Sequence, residues 1–148
     1  DFEVPFSAGC LVAAGIRDGR EVVRKSLQTT GRPRHLVLFP EKRTVSADPN
    51  DLAYVRVCVT DEEGRIVPDA AVRLKMTVEG DGILLASGNA APDDMHSFRN
   101  PACTTWQGQC LAILQPGVKS GVMLLKVVAE GMPPVEMEIR IASVKYEP

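Results

Sequence analysis

The residues of this chain that could do chemistry concentrate in one stretch, Gly88 to Leu114. Its first half is rich in turn-forming Gly, Asn, Asp and Pro, which predicts a long loop leading into a strand that begins near Gln109. Loops of more than about 12 residues without structure of their own are usually functional or disordered. We therefore predict a candidate contact surface in this stretch, made by Asn89, Asp93, Asp94, His96 and Trp106.

A metal site or an acid–base site is one chemistry that Asp93, Asp94 and His96 could support. Loop carboxylates can bind calcium, but the sequence lacks the alternating Asp spacing of a dedicated calcium loop. A blue-copper centre needs His close to Cys, and no His follows Cys103 or Cys110. The simpler interpretation is that these polar side chains hydrogen-bond the loop backbone. No metal or cofactor is therefore predicted.

A catalytic constellation is not apparent in the sequence. Glycosidic bond hydrolysis needs two carboxylates held a fixed distance apart, and the acidic residues here fall in turns. No GxSxG nucleophile motif and no Gly-rich phosphate loop is found. Trp106, the only Trp, could stack on a sugar ring, with Tyr54 and Phe98 as the other candidate aromatic residues. We favour an anchoring role for Trp106, with its N–H bound to a partner, and we expect Phe98 to hold the loop inward.

The composition restricts the partners and the setting of the chain. A formal net charge of −2 argues against a nucleic-acid partner, which would require a clustered basic face. No apolar run approaches the roughly 18 residues of a membrane span. No basic and apolar leader opens the sequence, so we expect no signal peptide within it. Because the sequence opens inside a strand-like pattern, we interpret it as a fragment of a longer protein.

The four cysteines, Cys10, Cys58, Cys103 and Cys110, could form two bridges. No CxxC pair is present, which argues against zinc. Four Cys in a chain of this length do not amount to a disulfide scaffold, and free Cys often serves as a small buried apolar residue. We therefore favour free thiols over bridges, and the local alternation places Cys58 on the outer face of its strand.

The elements that must position these residues are short strands. Leu52–Thr60 is the clearest, because Ala and Val alternate with other residues at a period of two. Asp61–Gly64 follows as a hairpin turn, with Ala71–Val78 as the predicted partner strand. A further strand is predicted at His35–Phe39, which Thr44–Ala47 continues after a kink at Pro40. The others are predicted at Ile83–Ala86, Gln109–Gln115, Val122–Glu130 and Val135–Ala142. About seven strands with regularly spaced turns predict an all-β, immunoglobulin-like β-sandwich.

The chain is predicted to contain two parts, with a boundary in the Gly- and Pro-containing linker before His35. Residues 35–148 form the immunoglobulin-like sandwich, and residues 1–34 are the last strands of a truncated preceding β-sandwich plus the linker. Those strands are predicted at Val4–Phe6, Leu11–Arg17 and Val22–Gln28, with a tight turn at Asp18-Gly19. Three strands cannot enclose a core. We therefore expect Val12, Ile16 and Val23 to be covered by other β-structure or by self-association of the open edges.

Three segments carry a resemblance to a known family. Gly88 to Leu114 reads GNAAPDDMHSFRNPACTTWQGQCLAIL, and Asp51 to Gly64 reads DLAYVRVCVTDEEG. Both resemble the C-terminal immunoglobulin-like domain of bacterial family 2 glycoside hydrolases of the β-galactosidase type. Phe2 to Pro40 looks like the end of the preceding sandwich domain and the start of this one, so the resemblance covers nearly the whole chain.

The resemblance implies a non-catalytic accessory domain, because in such enzymes the acid and the nucleophile lie in a central (β/α)8 barrel that this chain lacks. It also implies the other domains of the parent enzyme as partners, with weak carbohydrate contact as a further option, and a periplasmic or secreted location. Neither nucleic acid nor a membrane is expected as a partner. Two alternatives stay open: a carbohydrate-binding module, or a structural repeat of a bacterial cell-surface adhesin.

Overall fold

A computed structural model of the chain describes residue 3 and residues 5–143. These residues form strands, turns and loops, and they include no helix long and apolar enough to cross a membrane. Two compact units make up the chain, Asp1–Gly31 and Arg32–Pro148. The strands are β1 Cys10–Arg17, β2 Arg20–Gln28, β3 His35–Pro40, β4 Thr44–Ser46, β5 Ala53–Thr60, β6 Arg73–Gly80, β7 Gly82–Gly88, β8 Ala102–Thr104, β9 Gln109–Pro116, β10 Gly121–Ala129 and β11 Val135–Ala142.

The first unit contains a two-stranded antiparallel hairpin, β1 and β2. Asp18 and Gly19 have positive φ values of 50° and 74°, which is the backbone of the predicted tight turn. The predicted strand at Val4–Phe6 lies partly outside the described residues, and Phe6 is not in a strand. A lone hairpin has no second layer of its own to bury its side chains. Its exposed apolar residues are Leu11, Val12, Ile16, Val22, Val23 and Leu27.

The second unit is a sandwich of two sheets. The five-stranded sheet has the order β4-β11-β10-β6-β8, and the four-stranded sheet has the order β3-β5-β9-β7. Neighbouring strands are antiparallel except β4 and β11, which are parallel. The prediction that Thr44–Ala47 continues the first strand is wrong, because β3 and β4 lie in different sheets and the chain changes sheet after Pro40. The predicted all-β, immunoglobulin-like sandwich is confirmed.

The core lies between the two sheets and follows the period-two alternation of the sequence. One parity of each central strand points inward, and burial of each such side chain contributes about 1.5–3 kcal/mol to folding. The other parity points to solvent or to the outer faces of the sheets. Residues with no exposed surface in this core are Ala53, Val55, Val57, Val59, Leu74, Met76, Ala112, Leu114, Met123, Leu125, Val127 and Ile139.

The predicted hairpin between β5 and β6 is wrong. β6 pairs with β10 and β8 in the five-stranded sheet, whereas β5 lies between β3 and β9. The turn itself forms, because the buried Asp61 carboxylate accepts hydrogen bonds from the backbone N–H groups of Glu63 (3.1 Å) and Arg65 (2.8 Å). After this turn the chain crosses to the other sheet and buries Val67 in the core.

The predicted long loop is shorter than the sequence indicates, because β8 forms within it and pairs with β6. A three-residue strand offers too few positions for a readable alternation. The second unit therefore has nine strands among its described residues, where the sequence indicates about seven.

The prediction of free thiols is wrong for two of the four cysteines. Cys103 of β8 and Cys110 of β9 form a disulfide that joins the two sheets. Both face the core, and the missed strand β8 is what brings Cys103 opposite Cys110. Cys10 and Cys58 are free. Cys58 is buried, although its parity is opposite to that of the core residues of β5, and this burial raises the pKa of its thiol.

Candidate functional site

Polar side chains tie together the loop between β7 and β8. Asn89 donates from Nδ2 to Oδ2 of Asp94 (2.8 Å) and to the carbonyl oxygen of Thr104 (2.7 Å). Its Oδ1 accepts from the Ala91 N–H at 2.9 Å. Asp94 Oδ1 accepts from the backbone N–H of His96 at 2.9 Å and lies 2.6 Å from His96 Nδ1. Asn89 and Asp94 thus hydrogen-bond the loop backbone, whereas the His96 ring contacts the Asp94 carboxylate.

The hydrogen bonds of this network favour the ionised form of Asp94. The backbone N–H of His96, followed by its imidazole, holds the pKa of the Asp94 carboxyl below its usual value. The His96 side chain is 75% exposed. Across residues 3 and 5–143, no group of three or more His, Cys, Asp or Glu is placed to hold a metal ion. The arrangement of Asp94 and His96 thus fixes the loop and resembles no metal centre.

Trp106 stands at the start of a two-residue hairpin turn that leads into β9. The backbone N–H of Trp106 donates to the Gln109 carbonyl, and the Trp106 carbonyl accepts from the backbone N–H of Gln109, both at 3.0 Å. Gln107 and Gly108 have φ values of 50° and 69°, as a type I′ turn requires. A Cβ on Gly108 would lie 2.3 Å from the carbonyl oxygen of Val67. Glycine is therefore needed there, and the turn holds the Trp106 backbone in a defined position.

A groove with a volume of about 610 Å³ lies on the outer face of the four-stranded sheet. Cross-strand neighbours of β7 and β9 share this face, because Ala86 pairs with Ile113 and Gly88 pairs with Leu111. Arg56 and Gln109 also line the groove. The residues of what we term the apolar groove are Ala86, Gly88, Phe98, Trp106, Leu111 and Ile113.

Phe98 and Trp106 are both open to solvent in the apolar groove. The Phe98 ring covers Gly88 so closely that a Cβ there would lie 2.6 Å from ring atom Cδ1, yet Phe98 is 64% exposed. Its carbonyl accepts a 2.7 Å hydrogen bond from the Ser87 N–H. Phe98 thus holds the loop against β7 through its backbone and one face of its ring, while most of the ring stays exposed. Trp106 is 39% exposed.

The predicted contact residues divide between two places. Asn89 and Trp106 line the apolar groove, whereas Asp94 and His96 line a much smaller neighbouring depression that shares Gly88 and Phe98 with it. Asp93 is exposed on the loop. The structure therefore does not gather all five predicted residues into one concave site.

Sequence reasoning missed Arg56, Leu111 and Ile113 as groove residues. A signal for the last two is present in the sequence of β9. Apolar residues occupy both parities of this strand from Cys110 to Leu114, and such a pattern is typical of a strand that is covered on both faces. The pattern does not show which neighbouring segment supplies the walls, because that depends on the path of the β7–β8 loop.

The two sheets and the disulfide that joins them define an immunoglobulin-like domain. Residues 36–138 match the family model of the glycoside hydrolase family 2 C-terminal domain 5. The match covers most of the chain, and the chain belongs to this family. The resemblance seen in the sequence is confirmed.

The similar proteins are much longer than this chain. It is 31% identical over 131 residues to the β-galactosidase BoGH2A of Bacteroides ovatus, covering 88% of this chain and 15% of that protein. It is 36% identical over 83 residues to a β-galactosidase of Thermoanaerobacter pseudethanolicus, and this match covers 56% of this chain and 11% of that protein. The solved structure of a glycoside hydrolase family 2 member from Bacteroides cellulosilyticus matches with a TM-score of 0.90 at 28% identity. This match covers 93% of this chain and 19% of that one. The chain thus corresponds to a non-catalytic C-terminal domain and spans less than a fifth of these relatives.

Proposed function

We propose that this chain is the C-terminal accessory domain of a longer bacterial glycoside hydrolase of the β-galactosidase type, which acts in carbohydrate degradation. The domain packs against the rest of the enzyme and leaves the chemistry to another domain. The observation that carries this proposal is the match of residues 36–138 to a family 2 C-terminal domain. The names of two similar proteins, both β-galactosidases, support the substrate class.

The composition of the apolar groove supports a non-catalytic role. Glycosidic hydrolysis requires a pair of carboxylates on either side of the scissile bond. No Asp or Glu is among the described residues that line the groove. Other carboxylates are engaged in ion pairs, such as Asp51 with Lys42 and Asp61 with Arg65. These acids therefore stabilise turns of the sandwich.

Hydrolysis of a nitrophenyl galactoside tests this function. We expect no turnover by the purified 148-residue chain, and turnover by the longer polypeptide that contains it. Because trace contamination could mimic activity, the same preparation should be made with Trp106→Ala, which removes the largest groove side chain. Turnover by the short chain that a single substitution abolishes would refute the accessory role, and an inactive longer polypeptide would refute the assignment of the parent enzyme.

The location and the partners belong to the same proposal. A periplasmic or secreted enzyme is supported by the Cys103–Cys110 disulfide, because disulfides persist in oxidising compartments. The candidate partners are the other domains of the parent enzyme, which would contact the loop surface around Asn89, Asp94 and His96. For the first unit we propose coverage by upstream strands or by a second copy. The exposure of Ile16 (63%) supports this, since open hairpin edges favour pairing.

A further inference from the structure

The two outer faces of the sandwich differ in their side chains. On the five-stranded sheet the outward positions of β6 and β11 are polar, and Lys126 of β10 bridges Glu79 (3.3 Å) and Glu136 (3.4 Å) across three strands. On the four-stranded sheet, Arg56 is the only charged residue in the sequences of β5, β7 and β9. A solvated outer face is normally polar, and an exposed apolar patch commonly marks an interaction site.

The apolar groove lies on this outer face over β9 and the edge strand β7, with Arg56 of β5 beside it. Leu111 is 38% exposed and Trp106 is 39% exposed, although both belong to rigid elements, a strand and a tight turn. The Arg56 guanidinium lies 5.3 Å from the centre of the Phe39 ring, and no acidic side chain in the described part of the chain pairs with it. Trp, Phe and Arg around an apolar floor are typical of the centre of a protein–protein interface.

Two of the polar side chains that line the groove, Asn89 and Ser87, are already engaged, so that only Arg56, Gln107 and Gln109 remain to meet the hydroxyl groups of a sugar. Both ends of the Asn89 amide are bonded to other groups of the loop. The Ser87 hydroxyl donates to the carbonyl of Asn100 at 2.6 Å. A sugar ring needs partners for its hydroxyl groups, because a polar group that is buried without a partner costs free energy. The lining therefore suits an apolar side chain better than a polyhydroxylated ring.

We propose that the apolar groove is the docking surface for another domain of the same longer polypeptide. That domain inserts an aliphatic or aromatic side chain between Phe98 and Trp106 and presents a carboxylate to Arg56. This inference rests on the proposed function. A domain of the same polypeptide is the expected occupant, because more than four-fifths of each relative's length lies outside the region that matches this chain. A tethered domain has an effective concentration of about millimolar, so a groove of modest size is sufficient.

Hydroxyl-radical footprinting with mass spectrometry of the longer polypeptide and of the 148-residue chain tests the proposal. The sandwich unit of the short chain has its own core, so it provides the uncovered reference. We expect oxidation of Trp106 and Phe98 to be at least five-fold slower in the longer polypeptide. Oxidation of Val118, 73% exposed in the turn after β9, provides an internal control and should not change.

Two matched variants separate docking from a general change in folding. Leu111→Glu places a charge in the groove, and Val128→Glu places one on the opposite outer face, where Val128 is 44% exposed. In the longer polypeptide, Leu111→Glu should return Trp106 oxidation to the rate of the short chain, whereas Val128→Glu should not. Both variants should leave the urea midpoint of the short chain near its original value, since neither site belongs to the core.

Each other outcome has a definite meaning. Equal oxidation rates in both proteins, with galactosidase activity retained, would overturn docking and leave the proposed function standing. Protection of Trp106 without glycosidase activity would support docking and refute the proposed parent enzyme. Protection in the short chain that grows with its concentration would assign the groove to a second copy. Protection that appears only with added galacto-oligosaccharide would assign it to a sugar. Either of the last two results contradicts the proposal.

Discussion

Replacement of Gly108 by Ala tests whether the tight turn before β9 sets the position of Trp106. Gly108 has a φ of +69°, and an added Cβ would meet the Val67 carbonyl oxygen at 2.3 Å and its carbon at 3.1 Å. The carbonyl of Gly108 also accepts a 2.8 Å hydrogen bond from the Val59 N–H. The substitution therefore strains the turn and pushes it away from two backbone segments at once.

The expected cost follows from these contacts. A left-handed φ costs a residue with a Cβ about 1 kcal/mol. Moving the Val67 carbonyl weakens its hydrogen bond from the Ala70 N–H, and moving Gly108 weakens the bond to Val59; each is worth about 1 kcal/mol net. We expect Gly108→Ala to lower the free energy of unfolding by about 3 kcal/mol. For a domain of this size that corresponds to a fall in Tm of roughly 10 °C.

Gly64→Ala is a matched control, because Gly64 has a φ of +78° but an added Cβ there would meet nothing within 4 Å. It should cost only the strain of about 1 kcal/mol. Urea unfolding followed by fluorescence measures both variants, and the single Trp reports on the sandwich unit alone. If the two variants differ by less than about 0.5 kcal/mol, the contact with Val67 does not constrain the turn and the reasoning fails.

Two further predictions concern a carboxylate and the disulfide. The Lys42 ammonium, followed by the Ser46 N–H, lowers the pKa of Asp51 from 3.8 to about 2. Its stabilising effect is therefore nearly full above about pH 4 and is lost as the pH falls from there through about 2. After allowance for solvent screening, Asp51→Asn should cost about 1 kcal/mol at pH 7 and only a small fraction of that at pH 2, measured by urea unfolding at both values; an equal cost at both would contradict this. Without reductant, iodoacetamide should modify two thiols of the denatured chain, and after reduction it should modify four. Modification of four thiols before reduction would disprove the Cys103–Cys110 bond. Reduction should lower the free energy of unfolding by about 2–3 kcal/mol, because the bond closes a short loop.

The strands that form the core were predictable because burial leaves a regular pattern. A half-buried strand places alternate residues inward, and this alternation makes β5, β10 and β11 recognisable in the sequence. Their bounds agree with the predicted segments to within one residue at each end. The predicted Asp18-Gly19 turn also forms, since its conformation depends on local chemistry.

Pairing between distant strands was not predictable in the same way. The Asp61 turn has the local chemistry of a hairpin, but it does not specify whether the next strand stays in the same sheet. Burial of Val67 between the sheets decides that the chain crosses to the other sheet. The disulfide depends on the same crossing. Only after β8 takes its place beside β6 does Cys103 come to face Cys110, and their spacing in the sequence carries no such information.

The walls of the apolar groove are fixed by glycines, which has a consequence for how a partner would bind. Gly88 lets the Phe98 ring lie on the β7 backbone, and Gly108 lets the hairpin turn place Trp106 beside β9. Neither constraint requires an occupant, so the groove is formed before anything docks in it. A preformed site loses little conformational entropy on binding. Slower oxidation of Trp106 and Phe98 in the longer polypeptide would therefore report that a partner covers the groove. It would not report that the groove folds only when the partner binds.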